Sequence, residues 1–335
     1  MKNQFEFWNF RDVRKIKFPV LKTIEVVETS SKISNSIEIL ISHGYLIPLE
    51  NTPIEILQFF KSDLTISNPE FEDCVKYGKG FVPKHIQQYL YLYLIDSKYI
   101  ALPRSIKKEI LEEQFRKKGI QVFYKDIRPN FEKLIYILKP STEPWYYQYD
   151  AIDKIVNSQN SILKFNCGKG KTILTLIAVY KIQLRTLILL RNNLLLQQWK
   201  SEILEMFIID EKDIGIFNGD SKTHGKITLA TVQSLANLSR DEKRKISEMY
   251  GYIIADECHE GGGNQYLKLL QMFKCKKISG LTATPIRSDG KSKIIVCYIG
   301  KIIKIDDGEL FLLNLISLKQ NFRLNMTIEK MNIQQ

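Results

Sequence analysis

Three groups of residues in the second half of the chain are of types, and at spacings, that handle phosphate. The first is Phe165-Asn166-Cys167-Gly168-Lys169-Gly170-Lys171-Thr172, set between an apolar run and a stretch rich in Ile and Leu. Glycines at a strand-to-helix turn let the backbone bend so that its N–H groups face an anion, and the next helix presents its positive end to the same anion. Gly168, Lys169 and Gly170 would form the cradle. Lys171 would reach the β- and γ-phosphates of ATP, and Thr172 would place its hydroxyl on Mg²⁺. Phe165 stands where the full GxxxxGK[ST] pattern has its first glycine, so the pattern is only partly met.

The second group is Ile253-Ile254-Ala255-Asp256-Glu257-Cys258-His259, whose Asp256 follows Lys171 by 85 residues. Asp256 would hold Mg²⁺, largely through water, and Glu257 would orient or deprotonate the attacking water. An acidic pair after a strand can also be a plain helix N-cap, and His259 a plain loop residue. Their place after the phosphate loop favours catalysis for Asp256 and Glu257 and a coupling role for His259. The third group, Gly280-Leu281-Thr282-Ala283-Thr284-Pro285, ends another apolar run. There the Thr282 and Thr284 hydroxyls could pass a change at the γ-phosphate to neighbouring loops, or simply satisfy their own backbone.

Positioning these groups requires strands whose ends lie side by side. Short, mainly apolar runs at 161–165, 186–190, 227–231, 252–256 and 278–284 alternate with helical stretches at 173–183, 194–206 and 266–273. Strands apolar on both faces and separated by helices predict an α/β lobe with a parallel sheet covered by helices. The first 140 residues read differently, as a smaller α+β accessory region. Thr52-Pro53-Ile54-Glu55 predicts a helix start in which Thr52 caps, Pro53 suits the first turn and Glu55 closes a capping box. Runs at 98–103 and 120–127 flank a helical stretch at 105–118, a strand–helix–strand unit. The two prolines of Lys139-Pro140-Ser141-Thr142-Glu143-Pro144 suggest a linker. The expected organisation is an accessory, nucleic-acid-binding region over 1–140, an ATP-binding lobe over 141–305, and an extension or the start of a second lobe over 306–335.

With 335 residues and 44% hydrophobic content, the composition is that of a folded globular protein. No apolar run approaches the roughly 20 residues that span a bilayer, and the start MKNQFEFWNF has no signal-peptide core. No membrane partner is expected. Five cysteines without CxxC spacing suggest neither a disulfide framework nor a zinc site, and point to a reducing, cytoplasmic compartment. The net charge of +12 suits a polyanionic partner. Residues 71–140 hold 14 Lys/Arg against 8 Asp/Glu, which fits nucleic-acid contact and fits a solvated basic helix face equally well.

Taken in order, these segments resemble superfamily 2 DNA helicases of the XPB-like group, which includes relatives in phages and large DNA viruses. Residues 166–172 are similar to that group's P-C-G-x-G-K-[ST] loop with Asn166 for Pro, and Asp256-Glu257-Cys258-His259 is similar to its D-E-x-H box. Residues 280–290 resemble its G-L-T-A-T-P-x-R-x-D-G. The resemblance implies that Gln148, after Tyr147, reads adenine. It also implies that Gln198, in Leu196-Gln197-Gln198-Trp199, and Thr231 and Gln233, in Ala230-Thr231-Val232-Gln233-Ser234-Leu235, touch the nucleic-acid backbone. The resemblance covers residues 144 to about 305. Trp145 replaces the Arg common beside the adenine, and Arg191-Asn192 replaces a Pro-Thr pair.

Only 45 residues follow Gly290, without a Q-x-x-G-R-x-x-R arginine-finger segment, whereas a second RecA-like lobe needs on the order of 150. The expectation is half of an ATP-dependent DNA helicase or translocase, acting on double-stranded or forked DNA. It would turn ATP over weakly until a second lobe, on another chain or lost by truncation, completes it. If viral, it would work in a viral factory or a bacterial host cytoplasm. Two rivals are the motor subunit of a restriction or defence system and a non-hydrolysing, ATP-sensing DNA-binding module. RNA stays open as a substrate.

Overall fold

A computed structural model describes residues 35–77, 81–84, 86–140, 148–164, 170–261, 269–283 and 292–304. These fall into two compact units, one ending at Ile127 and the other beginning at Arg128.

The first unit is a five-stranded mixed sheet with helices. Its strands are β1 (Ser36–Ile41), β2 (Tyr45–Pro48), β5 (Leu94–Ile95), β6 (Tyr99–Leu102) and β7 (Gln121–Asp126), in the order β5-β6-β2-β1-β7. β3 (Thr65–Ser67) and β4 (Tyr89–Tyr91) form a separate antiparallel pair. The strand–helix–strand unit read from the sequence is β6, α3 (Lys108–Arg116) and β7. Leu111 and Phe115, one turn apart on α3, are its buried residues. Helix α1 (Ile54–Asp63) starts where expected but without the capping box. Pro53 is the N-cap with no side-chain bond, and the Thr52 hydroxyl instead donates to the Pro48 carbonyl at 2.5 Å.

The second unit holds seven strands: β8 (Asn160–Lys164), β9 (Thr186–Leu190), β10 (Ile214–Phe217), β11 (Ile227–Thr231), β12 (Tyr252–Ala255), β13 (Lys277–Thr282) and β14 (Lys301–Lys304). Their order is β10-β11-β9-β12-β13-β8-β14, and each neighbouring pair is parallel. β9, β11, β12 and β13 are buried at each residue, as strands covered on both faces must be. Two edge strands escape the sequence pattern. β10 is four residues with a central glycine, and β14 is four residues flanked by lysines, too short and too polar to stand out.

The connecting helices include α4 (Gln148–Asn157), α5 (Lys171–Ile182), α6 (Asn193–Met206), α7 (Val232–Ala236) and α8 (Arg240–Ser247). Helix α5 buries each residue from Leu174 to Val179, which explains its near-continuous apolar sequence. The replacement seen at Arg191-Asn192 keeps a helix start, since the Asn192 side chain caps α6 by accepting from the Leu195 N–H at 3.0 Å. Residues 133–138 belong to this unit: Lys133 and Leu138 bridge to Leu184 and Phe207, and the buried Tyr136 hydroxyl lies 2.9 Å from the Leu184 and Lys226 carbonyls.

Candidate nucleotide and coupling site

In a parallel sheet all carboxyl ends share one edge, and ligands of open α/β sheets sit in the crevice outside it. That topology gathers the separate sequence groups. β8 runs toward the glycine-rich segment, β12 delivers Asp256, and β13 ends on Thr282. These strands are neighbours, with Ala255 opposite Gly280 and Thr282 opposite Lys164.

Gly170 is the N-cap of α5 at φ +79°, a left-handed conformation that favours glycine, and Lys171 and Thr172 follow in the helix's first turn. A methyl group on Gly170 would come within 3.1 Å of the Gln148 side-chain amide. Gln148 is buried at the start of α4, so the residue expected to read adenine lies against the end of the phosphate loop. Tyr147, Trp145, Gly168, Lys169, Thr284 and the rest of the segment 284–290 lie outside the described residues.

Lys171 and Glu257 meet directly. Lys171 Nζ donates to Glu257 Oε1 at 2.9 Å, with the side chains 14% and 29% exposed. Glu257 sits at φ +43°, rare for a residue with a Cβ, and its N–H donates to Asp256 Oδ1 at 2.9 Å. That left-handed turn costs on the order of 1–2 kcal/mol and aims the carboxylate back at α5. The second oxygen, Oε2, is enclosed without a hydrogen-bond partner and lies 3.2 Å from His259 Nδ1. The same nitrogen is 2.8 Å from the fully buried Thr282 hydroxyl. Lys171, Glu257, His259 and Thr282 thus form one continuous polar chain across α5, β12 and β13.

Asp256 makes a contact that sequence reading did not assign. Its Oδ2 accepts from the Trp199 indole N–H at 2.9 Å, and Trp199 is 2% exposed. Burial holds the Asp256 carboxyl above the usual carboxylate range, and the Trp199 hydrogen bond opposes that rise. Cys258 lies beneath the site, fully buried, and burial pushes its thiol up. A methyl on Gly280 would approach Cys258 Sγ to 2.8 Å, which explains glycine at the start of the third group. Of the residues expected at nucleic acid, Thr231 ends β11 at the same edge and Gln233 follows it. Gln198 is exposed on α6 and donates to Glu202 at 3.0 Å, Gln233 is exposed on α7, and the Thr231 hydroxyl donates to Ser234 at 2.8 Å.

The residues fit a magnesium nucleotide. Lys171 is held by a carboxylate where a phosphate would bind, and Glu257 keeps one enclosed oxygen without a donor. Among the described residues no group of three or more His, Cys, Asp or Glu could hold a metal by itself. Magnesium beside phosphates needs only one or two protein ligands.

The family model described as "Type III restriction enzyme, res subunit" matches residues 141–287. The chain is 32% identical over 158 residues to the "DNA 3'-5' helicase XPB" of Mycobacterium tuberculosis, covering 46% of this chain and 29% of that protein. It is 25% identical over 276 residues to the "Putative ATP-dependent RNA helicase L396" of Acanthamoeba polyphaga mimivirus, covering 79% and 48%. Over about half of its length the chain is similar to XPB-like superfamily 2 helicases. It spans between about a quarter and half of the length of these relatives. In fold, the chain is similar to the UvsW helicase of bacteriophage T4, with a TM-score of 0.56 at 16% identity over 80% of this chain and 99% of that one. Among the described residues no helix of the lobe or its accessory unit is long and apolar enough to cross a membrane.

Proposed function

We propose that this chain is the ATP-binding half of an ATP-dependent DNA translocase that needs a second RecA-like lobe for full activity. The observation that carries the reading is the chain of contacts from Lys171 through Glu257 and His259 to Thr282. In this reading Lys171 leaves Glu257 for the β- and γ-phosphates, and Gln148 reads the adenine beside Gly170. Glu257, released, holds the attacking water with both oxygens. Asp256 and Thr172 would hold Mg²⁺, which supplies charge neutralisation at the phosphates when bound. His259 and Thr282 feel the departure of Glu257 directly and carry it to β13 and the segment after it. Gln198, Thr231 and Gln233 take the nucleic-acid backbone at the same sheet edge, and the same contacts would serve RNA.

Hydrolysis at helicase rates also needs positive charge from outside the lobe. An arginine supplied by a partner domain contributes about 10³–10⁵ in turnover in related phosphate chemistry. The decisive experiment is calorimetry of ATP binding by the chain and by Lys171→Ala, with ATP turnover followed with and without duplex DNA and with an added second lobe. The expected result is binding that Lys171→Ala abolishes and slow turnover that the second lobe accelerates. Absence of nucleotide binding by the unaltered chain, or full turnover without the second lobe, would overturn the reading.

A further inference from the structure

The charge of this chain is unevenly placed. Residues 35–127 carry twelve Lys/Arg against twelve Asp/Glu, whereas residues 128–304 carry 27 against 17. The excess expected of an accessory grip is therefore on the motor lobe. Part of it faces a cavity of about 630 Å³ between α8 and residues 269–272. Arg240, Lys243 and Arg244 line it from one face of α8, at the i, i+3, i+4 spacing, above the apolar Leu269 and Met272, with Asp241 as its acid.

Two features make this more than a solvated helix face. Neighbouring acids are already engaged, Glu242 by the Ser239 capping box and Glu248 by Lys274 at 2.6 Å. Among the described residues neither the Arg240 nor the Arg244 guanidinium has a carboxylate within ion-pair distance. The cavity is also continuous with the backbone-contact edge. Lys243 Nζ donates at 2.7 Å to the carbonyl of Ala236, the last residue of α7, which carries Gln233 and follows Thr231. At about 1.5 Å per residue the length of α7 is roughly 7 Å, about two base-pair steps along the axis of B-form DNA at 3.4 Å each.

We propose that the Arg240–Arg244 cavity is a phosphate-binding extension of the nucleic-acid track, taking the backbone of duplex DNA beyond Gln233. The proposal rests on the translocase reading above. Arg forks suit phosphate oxygens, and an open cavity with an apolar floor lets them reach out without losing their packing.

The test is fluorescence anisotropy with a mixed-sequence duplex across a salt series, comparing the unaltered chain, R240Q/R244Q, and K117Q/K118Q just past the end of α3, which removes equal charge from the first unit. Each lost phosphate contact reduces the slope of log K against log salt by about 0.9. R240Q/R244Q is therefore expected to flatten the slope by about 1.8, so that between 50 and 200 mM salt it loses about twelvefold less affinity than the unaltered chain. K117Q/K118Q is expected to change the slope by less than half as much. Equal effects of the two pairs, or an unchanged slope in R240Q/R244Q, overturn the assignment while leaving the translocase reading intact. Failure of the unaltered chain to bind duplex at low salt overturns both.

Discussion

The Trp199–Asp256 hydrogen bond invites the sharpest test, Trp199→Phe. Phenylalanine keeps most of the apolar contact at this 2% exposed position but removes the indole N–H that Asp256 Oδ2 accepts at 2.9 Å. A hydrogen bond to a charged group contributes about 1.5–3 kcal/mol, and losing a partner behind a metal ligand typically lowers metal affinity about 10–100-fold. Burial already holds Asp256 toward its protonated form, so loss of the donor pushes it further that way and would weaken its hold on the proposed magnesium. Calorimetric titration of ATP with magnesium and with EDTA separates the two contributions. We expect the affinity gained from magnesium to fall by at least tenfold while the metal-free affinity stays within about twofold. Leu196→Ala, which opens a cavity at a fully buried position of the same helix without removing a donor, is the control and should lower Tm without touching the magnesium dependence. If Trp199→Phe weakens binding equally in magnesium and in EDTA, or behaves like Leu196→Ala, the indole is only packing and the reasoning fails.

Glu257→Gln removes the group that competes with phosphate for Lys171, so ATP should bind about fivefold more tightly by calorimetry, the equivalent of roughly 1 kcal/mol, while turnover is lost. Gly280→Ala forces a methyl to within 2.8 Å of Cys258 Sγ and 3.1 Å of the Ile299 side chain, and should cost about 1–3 kcal/mol by denaturant melts. Adding Cys258→Ala should recover part of that loss, and a purely additive double mutant would argue against this contact as the cause. Lys277 is buried, donates to the Ile155 and Val156 carbonyls at the end of α4 at 2.7 and 3.0 Å, and burial pulls its amine down to about 8. Between that value and the ordinary lysine range the unfolded chain binds more protons than the folded one. Stability should therefore rise from pH 8 toward pH 10 relative to Lys277→Met, and parallel melting curves for the two proteins across that window would refute it.

Much of the motor lobe was legible because its physics is local. TLILL and ITLAT are strands buried on both faces and need no partner to be recognised; they appear at Thr186–Leu190 and Ile227–Thr231 as expected. Lys171, Asp256 and Glu257 stand out by residue type and by position after apolar runs, and the structure brings Lys171 and Glu257 together. The edge strands β10 and β14 were not, because an edge strand is defined by its neighbour more than by its own hydrophobicity. The capping box at Thr52 failed for a similar reason, since the Pro48 carbonyl outbid the helix for the hydroxyl.

The order of motifs along the chain, and hence its resemblance to the helicases, was decided by sequence alone, because phosphate chemistry demands particular residues at the ends of strands. Which of them touch was decided by the tertiary structure. Only the parallel stacking of β8, β13 and β12 sets Lys171 against Glu257 and His259 against Thr282. Only the packing of α6 across the sheet turns Trp199 from one more apolar residue into the partner of Asp256. Contacts between groups 57 and 86 residues apart depend on how strands are ordered in space, and no local pattern of side chains encodes that order.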